Sequence, residues 1–140
     1  MKTNVLTSVL LMTLLVSCKE VQMPVMGEFA VYDVDVEELS GLCLNPQGTA
    51  LLSCGDQGVV KQISFTGEVS DFRTHDADME GITVDPATED IYLAIEGEQK
   101  VCRMEAPDYK DYPAAFYVQE AVDNEYRNSG LEGISYYKDG

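Results

Sequence analysis

An all-β chain built from repeated four-stranded units, a β-propeller, is what this sequence predicts, and three observations predict it. Leu39-Ser40-Gly41-Leu42, Met79-Glu80-Gly81-Ile82 and Leu131-Glu132-Gly133-Ile134 are near-copies of one motif, with their glycines 40 and 52 residues apart. Between the copies lie runs of about 4–7 residues rich in Val, Ile, Leu and Tyr, as strands are. Asn, Asp, Pro and Gly punctuate those runs at the same places in each copy. Four antiparallel strands in about 40–50 residues is the size of one propeller blade.

The elements follow in order. Phe29–Val36 alternates apolar and polar residues and reads as an outer strand that closes the last blade. The first blade spans 38–74, with strands at 40–44, 50–55, 59–65 and 69–73. With an offset of 40, Asn45-Pro46 falls on Asp85-Pro86, Leu51-Leu52-Ser53 on Ile91-Tyr92-Leu93, and Asp56 on Glu96. One residue further on, Val59-Val60-Lys61 meets Lys100-Val101-Cys102. Proline fixes φ, and Asn or Asp before it starts a turn by bonding its side chain to the backbone. The second blade therefore spans 79–119, with strands at 81–84, 91–95, 100–105 and 115–119. The third copy begins at Leu131. Two blades and the start of a third do not close a ring of about 4–8 blades, so residues 28–140 are expected to be the N-terminal part of a larger propeller domain.

The N-terminus reads as an export signal. A basic start, Met1-Lys2, precedes twelve mostly apolar residues, Val5 to Val16. That is too short to span a bilayer and suits a signal-peptide core. It ends in Leu15-Val16-Ser17-Cys18, which resembles a bacterial lipobox. The resemblance implies a lipoprotein signal peptide over 1–17, lipid attachment at Cys18 and a tether over 18–27. The chain is then held at the bacterial cell envelope by its lipid. The outer membrane is favoured over the inner, because Lys19-Glu20 shows no inner-membrane retention pattern.

Composition narrows the partners. Nine Lys and Arg stand against 25 Asp and Glu, a net charge of −16. Such a surface repels nucleic acid and suits a cation or a basic partner. Acidity also keeps an exported protein soluble. Outside the lipobox there are three cysteines, Cys43, Cys54 and Cys102. An odd number argues against a complete disulfide framework. Cys43 is expected near Leu51 across the first hairpin and Cys54 near Ser40, offset and unbonded. All three read as small strand residues facing the core.

Few residues offer chemistry. His75 is the single histidine, in the loop Thr74-His75-Asp76-Ala77-Asp78. It reads as solvent-exposed without a role, with a general base as the alternative. No Gly-x-Ser-x-Gly elbow, His-Glu-x-x-His or Cys-x-x-Cys pattern is present, which leaves carboxylates. Glu80 and Glu132 occupy equivalent places at the start of the innermost strand of successive blades, where that strand lines the central channel. Asp56 and Glu96 form a second equivalent pair, and Asp76 and Asp78 flank the approach to the second blade. Converging carboxylates suit calcium, which takes about 6–8 oxygen ligands. They equally suit a structural role in which a blade-start carboxylate accepts backbone N–H groups. Ser40, at the equivalent place in the first blade, is the poorer cation ligand.

Glu38-Leu39-Ser40-Gly41-Leu42, Asp78-Met79-Glu80-Gly81-Ile82-Thr83-Val84-Asp85 and Gly130-Leu131-Glu132-Gly133-Ile134 together resemble the SdiA-regulated (YjiK-like) family of exported β-propellers. The resemblance covers residues 28–140 and implies a six-bladed ring, exported or membrane-associated, with no settled activity. Related gluconolactonase-like and esterase-like phytase propellers hold calcium in the channel, and only Glu80 and Glu132 match such a site here. Two functions follow: a module at the cell envelope that binds a small molecule or protein, or a calcium-dependent hydrolase of a lactone or phosphate ester.

Overall fold

The computed structural model describes residues 31–118 and 130–138. The expected signal peptide over 1–17, the expected lipid site at Cys18, the expected tether over 18–27 and the first residues expected of the propeller domain lie outside the described residues.

Eight strands form two four-stranded antiparallel sheets. The first sheet holds β1 (Leu39–Leu44), β2 (Ala50–Gly55), β3 (Val59–Ser64) and β4 (Val69–Thr74). The second holds β5 (Met79–Val84), β6 (Ile91–Ile95), β7 (Lys100–Met104) and β8 (Ala114–Tyr117). Each sheet is a meander in sequence order, and β5 packs on β1 and β2. This is the construction of two successive propeller blades.

The turns are made by the residues that signalled them. Asn45 Oδ1 accepts the amides of Thr49 at 2.8 Å and Ala50 at 3.2 Å, and Gly48 supplies φ of 66°. In the second blade Asp85 Oδ1 accepts the Ala87 amide at 2.8 Å. Asn45 N–H bonds Ala50 O, and Asp85 N–H bonds Asp90 O, both at 2.9 Å. This closure sets the β1–β2 register one residue from the expected one. Cys43 stands opposite Leu52, and Cys54 opposite Gly41.

The core lies between the sheets. Leu52, Cys54 and Val60 of the first sheet pack with Met79, Ile82, Ile91, Leu93 and Met104 of the second. Each sheet thus has a near face, turned toward the blade before it, and a far face, turned toward the blade after. The first sheet's far face meets the second sheet's near face. Burial of these side chains contributes about 1.5–3 kcal/mol for each large one.

The repeated glycine is where the backbones cross. A Cβ on Gly41 would stand 2.9 Å from Ile82 N and 3.0 Å from Gly81 Cα. A Cβ on Gly81 would stand 2.8 Å from Ile134 N and 2.9 Å from Gly133 Cα. Residues 131–138 therefore lie against β5 as β5 lies against β1. They pair with no strand among the described residues.

The expected strand at Phe29–Val36 is not found over 31–36. An outer strand needs a sheet to join, and this segment instead runs beside the near face of the first sheet, with Tyr32 against Gly67. The fourth strand of the second blade is also shorter than expected, ending at Tyr117.

Candidate functional site

A register slip positions the site. In β1, Leu39 pairs with Gly55 and Gly41 with Cys54, so Ser40 is an extra, bulged residue. In β5, Met79 pairs with Ile95 and Gly81 with Ala94, so Glu80 is the bulge. A bulge re-aims its side chain and is common beside functional sites. Both bulges sit at the inner-strand starts, at one mouth of the blades.

There the carboxylates of Asp56, Asp78 and Glu80 each offer an oxygen within 4.8 Å of the other two. Asp56 comes from the β2–β3 turn, where Gly58 N–H bonds Gly55 O at 3.0 Å. Ser40 Oγ donates to Asp56 Oδ1 at 3.0 Å. Asp78 precedes β5, and its carbonyl accepts the Glu96 amide at 3.1 Å. Asp56, Asp76 and Asp78 also line an open cleft of about 400 Å³ with Gln57, Gly97 and Glu98.

A carboxylate that is buried beside other carboxylates is disfavoured in its charged form. Burial, then the charges of Asp56 and Glu96, hold the Asp78 carboxyl above its ordinary range. Burial, then Asp56, raise Glu80, and a hydrogen bond with Ser40 partly offsets this. Glu132 adds to both shifts through its charge. It stands outside the three-residue cluster and is exposed. Of the pair Glu80 and Glu132, then, the close cluster holds Glu80, with Glu132 as a neighbouring charge.

Glu96 does something different from its counterpart Asp56. It is 6 % exposed, and its Oε1 accepts the Gly130 amide at 3.1 Å. Gln99 holds the Glu96 carbonyl through both its own amide, at 2.9 Å, and its side-chain Nε2. Glu96 thus anchors the start of the third copy.

The donor set fits a hard cation. All its donors are oxygens, and Asp78 Oδ1 is shut off from solvent with no hydrogen-bond partner among the described residues. Calcium prefers such oxygen ligands, whereas borderline and soft metals seek nitrogen or sulfur. Sequence reasoning named Asp56 and Asp78 but did not join them to Glu80. The signal was present in the alignment of copies: Ser40 and Glu80 are equivalent, and a side chain at either place meets the β2–β3 turn.

His75 departs from its expected place in solvent. It is 8 % exposed, with Nε2 3.2 Å from Met104 Sδ and its ring 4.0 Å from that of Tyr112. The reason is that His75 N–H bonds Gly58 O at 2.7 Å, which extends the β3–β4 ladder and turns the ring toward the second blade. Burial, then the Arg73 charge, lower its pKa.

The three thiols are free. Cys54 and Cys102 are buried and Cys43 is half-buried. Burial pushes Cys43 up to about 11, and burial with the Cys43 and Glu80 charges pushes Cys54 to about 12. Neither is a nucleophile at neutral pH, since the thiolate is the reactive form.

No family profile matches the chain. No curated protein matches it either. Among solved structures it is similar to virginiamycin B lyase from Staphylococcus aureus, at 20 % identity over 58 % of this chain, with a TM-score of 0.45. It is similar to U3-55K at 11 % identity over 58 % of this chain, with a TM-score of 0.42. Hydrazine synthase of Kuenenia stuttgartiensis resembles it at 15 % identity over 58 % of this chain, with a TM-score of 0.41. The chain spans 27 % of the first two of those proteins and 23 % of the third.

Proposed function

We propose that this chain is part of an SdiA-regulated-type propeller, six-bladed when complete, held at the bacterial cell envelope, in the outer membrane, by lipid on Cys18. It works there as a binding module for a small molecule or protein, with a calcium ion at the inner-strand mouth. One observation carries the cation site: Asp56, Asp78 and Glu80 converge within 4.8 Å while Asp78 Oδ1 is buried without a partner among the described residues. Glu132 adds negative potential there. The acidic surface disfavours nucleic acid.

The test is a calcium titration of the purified chain, read by calorimetry and by the thermal midpoint, beside Asp78→Asn and Glu80→Gln. Calcium is expected to raise the midpoint of the wild-type chain and leave both variants unmoved. A wild-type chain indifferent to millimolar calcium sinks the site. The anchor is tested by labelling cells with radioactive palmitate. Label should enter the wild-type chain and be lost in Cys18→Ser, and an equally labelled variant would refute it.

A second reading, the calcium-dependent hydrolase of a lactone or phosphate ester, draws on the open cleft of about 400 Å³ beside the carboxylates, lined by Asp56, Asp76 and Asp78, in which a substrate could reach the metal. When bound, the metal would act as a Lewis acid toward a substrate oxygen. His75, packed on Met104 and Tyr112, is not the base in this reading. Calcium-dependent turnover of a model lactone or phosphate ester, lost in Glu80→Gln, would select it over the binding module.

A further inference from the structure

Asp78 and Glu96 adjoin at one mouth of the second sheet, and each reaches a different copy of the repeat. The Asp78 carboxylate meets Asp56 of the first blade. Glu96 Oε1 accepts the amide of Gly130, just ahead of the third copy of the motif, at 3.1 Å. The two residues are also joined to one another, because the Asp78 carbonyl accepts the Glu96 amide at 3.1 Å. Aligned by the motif, Gly130 falls on Asp78 and Glu132 on Glu80. The second junction therefore lacks the side chain that completes the first, and its own carboxylate, Glu96, is engaged by an amide. Among the described residues the oxygen cluster forms at the first junction alone.

Residues 131–138 depend on what lies beneath them. They join no sheet among the described residues. Gly81 receives Gly133 and Ile134 against its backbone, and Thr83 Oγ1 accepts the Tyr136 amide at 3.1 Å. A segment without a ladder of its own opens at low cost, so its seating follows small changes in that platform. Two of the platform's attachment points belong to neighbours of the cation ligands. Glu96 is hydrogen-bonded to Asp78, and Gly81 follows Glu80 in the chain.

We infer that a calcium ion at the first junction locks the third copy of the motif onto β5, so that the cation at the mouth governs the docking of the next inner strand. The inference rests on the calcium site proposed above. Without the ion, like charges at Asp56, Asp78, Glu80 and Glu96 push apart, and the loosening passes to Gly130 through Glu96 and to Gly133 through Gly81. The ion replaces that repulsion with shared oxygen ligation. Linkage makes the effect reciprocal: a seated third copy raises calcium affinity by the same factor by which calcium favours seating.

The test joins calorimetry with calcium to hydrogen exchange of the purified chain in EDTA and at saturating calcium, beside Thr83→Val. Thr83 is not a ligand of the site, and its hydroxyl holds Tyr136. Calcium is expected to slow exchange over 130–138 severalfold and to leave β4 unchanged. Thr83→Val, with unchanged circular dichroism, should bind calcium about fivefold or more weakly and gain less protection over 130–138. An absence of calorimetric binding overturns the site and the lock together. Binding that leaves exchange over 130–138 unmoved overturns the lock and spares the site. So does a Thr83→Val variant that exchanges faster over 130–138 in EDTA yet keeps the wild-type affinity.

Discussion

Asp78 and Glu80 sit where ionisation is disfavoured. Both carboxyls titrate above their ordinary values, because burial and neighbouring carboxylates disfavour the ionised forms. A group raised in the folded state stabilises the fold fully below its unfolded pKa, and that contribution is lost as pH rises through the folded value. Asp90 has the opposite sign. Burial pushes its pKa up, but the Ala106 amide, Thr88 and Arg103 outweigh this and hold it below the ordinary value. Its contribution is present above the unfolded pKa and lost as pH falls through the folded one. In metal-free buffer, the thermal midpoint should therefore rise as pH falls from 7.5 toward the ordinary carboxylate values of about 4, then fall at lower pH as Asp90 protonates. Asp78→Asn and Glu80→Gln should each flatten the rise and leave the acid limb in place. A wild-type midpoint that falls steadily from pH 7.5 would refute this balance. Arg103, 2.8 Å from Asp90, is the partner whose loss would move the acid limb instead.

At the scale of the strand, the motif that repeats in sequence is a crossing and a bulge. Its glycine lets the next inner strand approach within contact of the backbone, and the residue before it leaves the ladder. Gly81→Ala should cost about 1–3 kcal/mol, as overpacking does. Its added Cβ falls 2.8 Å from Ile134 N and 2.9 Å from Gly133 Cα, against backbone that has little room to yield. Denaturant unfolding measures this, and a variant as stable as wild type would show that residues 131–138 are not seated as described. Much of this level was legible in the sequence. Strand identities and turns followed from Asn45-Pro46, Asp85-Pro86 and the alternation between them, because those signals act locally. The bulges were not legible, since a bulge is a mismatch between two strands and leaves no mark on either alone. The same blindness kept Asp56 apart from Glu80, and placed His75 in solvent when its ring turns to Met104. Residues 31–36 alternate as a strand would, yet alternation without a partner sheet leaves them unpaired.

At the scale of the described residues as a whole, the core and the mouth are built from different side chains. The sheets share one core, with Leu52, Cys54 and Val60 facing Met79, Ile82 and Ile91. Acidic side chains gather at the inner-strand mouth, where Asp56, Asp76 and Asp78 line the cleft. The outermost sheet faces differ from the interior in exposure and hardly in composition, as Leu42 and Ile82 illustrate. Propeller blades bury their faces only against neighbours.

The bulge has one more consequence. Its geometry comes from backbone register, with Ser40 in one blade and Glu80 in the next held in the same way. The side chain there is not needed to make the turn of the chain that displays it. Each blade thus offers one interchangeable position on a fixed frame, where a hydroxyl can be swapped for a carboxylate without repacking the sheet behind it. The ligand preference of the mouth can therefore drift one blade at a time while the architecture is inherited unchanged.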